Sequence, residues 1–266
     1  MISIGPLALP LGLVAVLSGY GLLLWLGGRL LPDRHRQFST AALRALLIGG
    51  LGARLVYVLD YRAEYFAQPW SILNIRDQGF APWAGLALAA AVLAGFALRH
   101  PALRRAVAIA TLGAGAAFVG VLGIGSALLE RKLPPLPATQ LATLDGQSLN
   151  LAEQAGQPLV INLWATWCPP CRREMPTLTQ AQSRYADVRF VLANQGEDAT
   201  TVRRYLETAE LDMRRVVLDP DMALGRHYRS SGLPTTLFVD ASGHVAHVHY
   251  GEISNAGIAR GIAAAR

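Results

Sequence analysis

The sequence predicts an all-α membrane domain of four transmembrane helices followed by an α/β domain. Three observations carry this. Four apolar runs fill the first half, a proline-rich break follows them, and buried strands alternate with amphipathic helices beyond the break. Across 266 residues the hydrophobic fraction is 52% and only 16% are charged. That is too apolar for an ordinary soluble pair of domains.

The charge is divided unevenly. Residues 1–130 hold 10 arginines and 5 acids, whereas residues 131–266 hold 14 basic and 13 acidic residues. The basic excess lies between apolar runs and forms no stripe interleaved with aromatics, which argues against a nucleic-acid partner and for a topology signal.

The runs are Leu7–Leu26, Ala41–Leu59, Pro82–Leu98 and Val107–Leu129. Each is close to the roughly 20 residues that cross a bilayer core. The first is expected to remain as a membrane helix, because Arg29 is the first basic residue and no charged leader precedes the run. Arg29, Arg34, Arg36 and Arg44 follow run one, and Arg99, Arg104 and Arg105 follow run three. The positive-inside rule puts both loops in the cytoplasm. The loop from Asp60 to Asp77 balances Arg62 and Arg76 against Asp60, Glu64 and Asp77, and is expected outside. Everything after Glu130 then lies outside as well. Recurrent glycines such as Gly49, Gly52, Gly113 and Gly120 suit close helix packing in lipid. Arg44 and Arg54 are costly so close to a span, and either snorkel or serve a function.

Leu133-Pro-Pro-Leu-Pro-Ala138 cannot continue a helix and favours an extended spacer. The expected organisation is a membrane domain over 1–130, a linker over 131–137 and a second domain over 138–266. In that domain Gln140–Leu144 reads as a strand ending in an Asp145-Gly146 turn. Leu159–Trp164 is a continuous apolar run, hence a buried strand. A helix over 171–185 follows, then a strand at Val188–Ala193, a helix at Ala199–Glu210 and a short extended piece at Val216–Leu218. Thr235–Val239 and His244–Tyr250 read as an antiparallel pair around Asp240-Ala-Ser-Gly243, and Ile253–Ala265 as an amphipathic helix.

The only two cysteines, Cys168 and Cys171, stand two residues apart where the first buried strand meets its helix. A Cys-x-x-Cys is either a redox pair or half of a zinc site, and zinc needs two more nitrogen or sulfur ligands. His244, His247 and His249 are the nearest candidates. Positions 247 and 249 share one strand face, read here as a solvated one, and no metal site is expected. In the redox reading Cys168, at the helix N-terminus, is the attacking thiolate, stabilised by unpaired N–H groups. Cys171 is the resolving thiol. Pro169 and Pro170 suit the first helical turn and tune the pair. Glu174 falls one turn beyond Cys171 on the same face, and a carboxylate there disfavours a thiolate.

Taken together, Ile161-Asn162-Leu-Trp-Ala-Thr-Trp-Cys-Pro-Pro-Cys-Arg-Arg-Glu-Met-Pro176, Leu144-Asp-Gly146 and Gly232-Leu-Pro-Thr-Thr236 resemble the TlpA/ResA-like branch of the thioredoxin-fold thiol-disulfide oxidoreductases. The resemblance spans residues 138–266. It implies a thioredoxin-like fold, a redox-active Cys168–Cys171 disulfide with no other cofactor, and a proton-handling role for Glu174. It also implies a cis Pro234 opposite the pair. Leu233, Pro234, Thr235 and Trp167 would then meet substrate. Trp164 and Trp167 flank the motif and form its apolar rim, unless Trp164 packs into the core, which is an equally open reading for that residue. Asn162 stands where thioredoxins proper have a buried acid. Asn194-Gln-Gly-Glu197 has no assigned counterpart.

In the first half, Gly52-Ala-Arg-Leu-Val-Tyr-Val-Leu59, Glu64-Tyr-Phe66 and Ala84-Gly-Leu86 resemble the early membrane region of prolipoprotein diacylglyceryl transferases over residues 45–95. Trp83 stands where that family's signature has a histidine.

These readings lead to an expected protein-disulfide reductase of a bacterial inner membrane, with its N-terminus and redox domain on the periplasmic side. Its substrates are exported proteins, with apocytochrome c implied by the resemblance. Four spans without a cysteine cannot relay electrons by thiol exchange, so a membrane thiol carrier is the expected donor. The alternatives are a periplasmic oxidase or isomerase on the same fold, and a lipid-modifying transferase carrying a redox-sensing domain.

Overall fold

The structure is a computed structural model and describes every residue except 1, 5, 6, 10, 68, 75, 76, 78, 130–132 and 212–214. Arg76 and the expected boundary at residues 130–132 lie outside the described residues. The chain packs as two compact units, Met1–Tyr61 with Phe80–Arg131, and Arg62–Gly79 with Lys132–Arg266.

The first unit opens with a short antiparallel pair, β1 (Ile2–Ile4) and β2 (Leu7–Leu9), before α1 (Leu11–Leu30). The sequence reading began this helix at Leu7. Proline at position 10 has no N–H to sustain a helix begun there, and the apolar helix runs four residues further at its other end. Then come α2 (His35–Asp60) and, after the short α3 (Arg62–Ala67) of the second unit, α4 (Pro82–Arg99) and α5 (Arg104–Leu129). The helices α1, α2, α4 and α5 are long and apolar enough to cross a membrane. The second begins six residues before its apolar run, because apolarity marks a span and not the helix that contains it.

Within this unit α1 packs along α5 and α2 along α4. Where α2 meets α4, a Cβ on Gly49 would stand 2.8 Å from the Gly85 carbonyl oxygen. Only glycine lets the two backbones approach so closely.

The second unit is built on a seven-stranded sheet. Its strands are β3 (Gln140–Thr143), β4 (Ser148–Asn150), β5 (Leu159–Trp164), β6 (Arg189–Gln195), β7 (Val216–Asp219), β8 (Thr235–Val239) and β9 (Val245–Tyr250). The spatial order is β4-β3-β7-β6-β5-β8-β9, with β5, β6 and β7 parallel and β8 antiparallel to β5. The helices are α6 (Pro169–Arg184), α7 (Ala199–Thr208), α8 (Ala223–His227) and α9 (Asn255–Ala265). The α/β thioredoxin-like expectation holds. The strand β4 and helix α8 were not foreseen. The strand spans only three residues, and α8 follows Met222 in a left-handed conformation that no sequence signal announces.

All six residues of β5 are buried because the strand is central and covered on both faces. Val160 and Trp164 face one core together with Cys171, Met175 and Leu178 of α6. Leu159, Ile161 and Leu163 face the other, with Val191 and Leu237. The alternation along β5 therefore directs Asn162 toward α6.

The expectation of a solvated histidine face on β9 fails. His249 is buried with Nε2 3.1 Å from the Glu252 carbonyl oxygen, and His247 lies against the Phe238 ring. Burial holds the His249 ring below its ordinary pKa and pushes that of His247 down to about 4. The short helix α3 packs with the second unit, where Glu64 accepts a hydrogen bond from Arg184 of α6.

Candidate active site

The site begins where β5 ends. Ala165 through Cys168 form a turn closed by the Cys168 N–H donating to the Ala165 carbonyl at 3.3 Å. Cys168 is the N-cap of α6, and its Sγ accepts the Cys171 N–H at 3.3 Å. Pro169 and Pro170 occupy the first helical positions, where a missing N–H costs nothing. The helix thus starts two residues before the expected 171. The two sulfurs form a disulfide, with Cys168 4% exposed and Cys171 fully buried.

Glu174 is 1% exposed, shut away from solvent beneath the helix. Its carboxyl is held by two donors. Asn162 Nδ2 reaches Oε1 at 2.8 Å, and the Ile253 N–H reaches Oε2 at 2.8 Å. Asn162 also donates to Thr236 Oγ1 at 3.0 Å, across the β5/β8 register that pairs these two residues. Burial pushes the Glu174 carboxyl up to about 8, against the lowering effect of the Asn162 and Ile253 hydrogen bonds, while nearby Glu252 pushes it the same way as burial. A carboxyl in that range holds its proton at neutral pH and can both give and take one. The like-charge effect expected from the sequence operates only where the group ionises.

The Leu233–Pro234 peptide is cis. Leu163 of β5 pairs with Thr235 of β8, so Pro234 follows beside the Trp164 end of β5. Thr235 is buried and its Oγ1 donates to the Gly232 carbonyl at 2.7 Å, while the Gly251 N–H donates to the Pro234 carbonyl at 2.9 Å. Leu233 packs against the cluster that holds both cysteines. The two tryptophans separate. Trp164 is fully buried beside Tyr205, leaving Trp167 alone on the surface at 62% exposure.

Sequence reasoning missed the anchoring of the turn. Glu197 lies just past β6, after Gly196 at φ +78°. Its Oε2 accepts the Thr166 N–H at 2.8 Å and Asn194 Nδ2 at 2.7 Å, and its Oε1 accepts the Thr166 hydroxyl at 2.5 Å. The available signal was a pair of polar residues, Asn194 and Gln195, ending the strand after the apolar run Phe190–Ala193. Buried polar groups need partners: Asn194 finds Glu197 at the site, and Gln195 finds Asp219 at the end of β7. The Ile253 N–H was likewise invisible, because a main-chain donor carries no side-chain signature.

A disulfide at a helix N-terminus beside a proton-holding carboxyl accepts two electrons by thiol exchange and manages the accompanying proton. Comparison with known proteins agrees. The family model Redoxin matches residues 132–262, and the model Prolipoprotein diacylglyceryl transferase matches residues 1–124, a wider span than the 45–95 read from the sequence. The thioredoxin-like protein YneN of Bacillus subtilis is 32% identical over 124 residues, covering 44% of this chain and 71% of that protein. The thiol-disulfide oxidoreductase ResA of Geobacillus kaustophilus is 31% identical over 126 residues, covering 47% of this chain and 72% of that one. The thiol:disulfide interchange protein DsbE of Pseudomonas fluorescens biotype C is 31% identical over 120 residues, covering 45% and 66%. With the Cys168–Cys171 disulfide at the head of α6 and Glu174 buried one turn behind it, the chain belongs to the thioredoxin-like thiol-disulfide oxidoreductases of the ResA/DsbE type.

Proposed function

We propose that the protein is a membrane-anchored, extracytoplasmic reductase of disulfides in exported proteins, of the cytochrome c maturation type. Residues 1–130 are the anchor, 131–137 the linker and 138–266 the redox domain. The observation that carries this reading is Glu174, a buried carboxyl raised to about 8 one turn behind a fully buried Cys171. Burial disfavours a thiolate at Cys171, and an ionised Glu174 disfavours it further. A reduced state stripped of thiolate stabilisation surrenders its electrons readily, the opposite of a strong oxidant.

In the forward reaction the Cys168 thiolate attacks a substrate disulfide. A Cys168–substrate bond forms, and the displaced substrate sulfur leaves with the electron pair. In the fraction of molecules where it is ionised, Glu174 takes the proton of Cys171, whose sulfur then attacks Cys168 and releases the second substrate thiolate. The substrate gains two electrons and the internal disulfide closes. Trp167 and the half-buried Leu233, backed by the buried Pro234 and Thr235, form the surface that receives the substrate segment.

The arginine-rich loops after α1 and α4 support a cytoplasmic location for those loops, with the N-terminus and redox domain on the periplasmic side of the inner membrane. The pairing of Glu64 with Arg184 suits this topology, which puts both residues outside. Electrons come from a membrane thiol carrier, because Cys168 and Cys171 are the chain's only cysteines.

The test is the reduction potential of the full-length protein in detergent, equilibrated in dithiothreitol or glutathione buffers. A value below about −200 mV is expected, and one near −120 mV would make the protein an oxidant and overturn the reading. The match of residues 1–124 supports a second reading, a lipid-modifying transferase with a redox-sensing domain. That reading requires acyl-lipid transfer that persists in Cys168→Ser.

A further inference from the structure

We propose that Glu197 is a positioning residue for the attacking sulfur. It touches neither cysteine. It acts through Thr166, two residues before Cys168, by gripping both the backbone N–H and the hydroxyl of that residue at 2.8 and 2.5 Å. The grip is itself fixed, because Asn194 Nδ2 donates to the same carboxylate at 2.7 Å from the buried end of β6. Gly196, at φ +78°, turns the chain out of β6 and brings the carboxylate back toward the turn.

The purpose follows from what Thr166 lacks. It lies beyond the last paired residue of β5 and before the first residue of α6, so neither ladder nor helix orders it. The turn closed by Cys168 N–H and Ala165 C=O sets where Cys168 begins the helix. An unanchored Thr166 leaves that turn, and the exposed Trp167 within it, free to swing. Thiol exchange requires the attacking and attacked sulfurs to be aligned, and small misplacements of a reacting atom are expensive in rate. A bidentate carboxylate is therefore the tie that fixes Cys168 for attack.

Glutamine is the informative replacement. Its amide oxygen can accept from the Thr166 N–H and from Asn194, and its amide nitrogen can donate to the Thr166 hydroxyl, which accepts equally well. The geometry survives without the charge, whereas alanine removes both.

The experiment uses the full-length reduced protein in detergent and follows its reaction with a chromogenic aromatic disulfide by stopped flow. Each turnover forms the Cys168–Cys171 disulfide and releases two aromatic thiolates, so electrons and sulfur balance. Glu197→Ala is expected to slow the second-order step by roughly tenfold to a hundredfold, and Glu197→Gln to recover most of it. An unchanged rate in Glu197→Ala overturns the proposal, and so does a Glu197→Gln rate as low as that of alanine. Amide exchange at Thr166 in the unmodified protein gives a reading independent of any variant's folding. Strong protection is expected, and rapid exchange refutes the tie. The first measurement reads thiolate attack and the second the order of the turn that places Cys168, so their outcome is separate from the reduction potential that tests the direction of the reaction.

Discussion

Asn162 Nδ2 lies 2.8 Å from Glu174 Oε1, joining the middle of the central strand to the helix that Cys168 caps and Cys171 enters. The same nitrogen reaches Thr236, while Asn162 Oδ1 has no hydrogen-bond partner among the described residues. Turning the amide over would present that oxygen to a protonated Glu174, and Thr236 would then donate to it. The network therefore accommodates both charge states of the carboxyl.

Glu174→Gln keeps the shape of the side chain and removes its proton chemistry. The reduction potential should become less negative at pH values where the wild-type group ionises, by about 30 mV for each pKa unit of lost thiolate destabilisation. Equilibration with dithiothreitol across pH 6 to about 9 reads this. Superimposable curves for the two proteins would remove Glu174 from the redox couple.

The same carboxyl makes stability fall with pH. Between its ordinary value of 4.5 and its folded value of about 8, the folded group keeps a proton that the unfolded group has lost. The folded state binds more protons, so unfolding becomes easier as pH rises through that window. Each pKa unit corresponds to about 1.4 kcal/mol. Chemical denaturation of the oxidised protein should show this slope in the wild type and its loss in Glu174→Gln.

Asn162→Leu removes a donor whose hydrogen bond lowers the Glu174 pKa. The Glu174 carboxyl should then titrate still higher, and the pH profile of thiol exchange should move upward with it. A profile that moves down, or stays in place, contradicts the assignment.

Trp167→Ala separates substrate contact from folding. At 62% exposure the ring contributes little to the core, so stability should change by less than about 0.5 kcal/mol. If the ring meets substrate, affinity for a substrate protein in a Cys168→Ser/Cys171→Ser background, where no mixed disulfide forms, should weaken by about 1 kcal/mol or more, as for an aromatic anchor at an interface.

Gly261 of α9 faces the ring of buried Phe238, and a Cβ there would stand 2.3 Å from its atoms. Gly261→Ala should cost about 1–3 kcal/mol by overpacking, measured as a lower denaturation midpoint with an unchanged slope.

The sequence by itself determined the composition of this protein's halves and the heart of its chemistry. Four apolar runs, a continuous buried strand and Cys168-Pro-Pro-Cys171 are local patterns, each set by the solvent or partner a short segment must meet. Its limits appeared where residues distant in the chain converge. The tertiary structure alone decided that Glu174 is buried and protonated, because burial depends on α6 lying over β5 and on the Ile253 main chain closing above it. It alone turned His249 inward, and it alone brought Glu197 to Thr166 from the end of the neighbouring strand. A pKa and an anchoring hydrogen bond are properties of an environment, and the sheet order β7-β6-β5-β8 creates that environment only once the chain has folded.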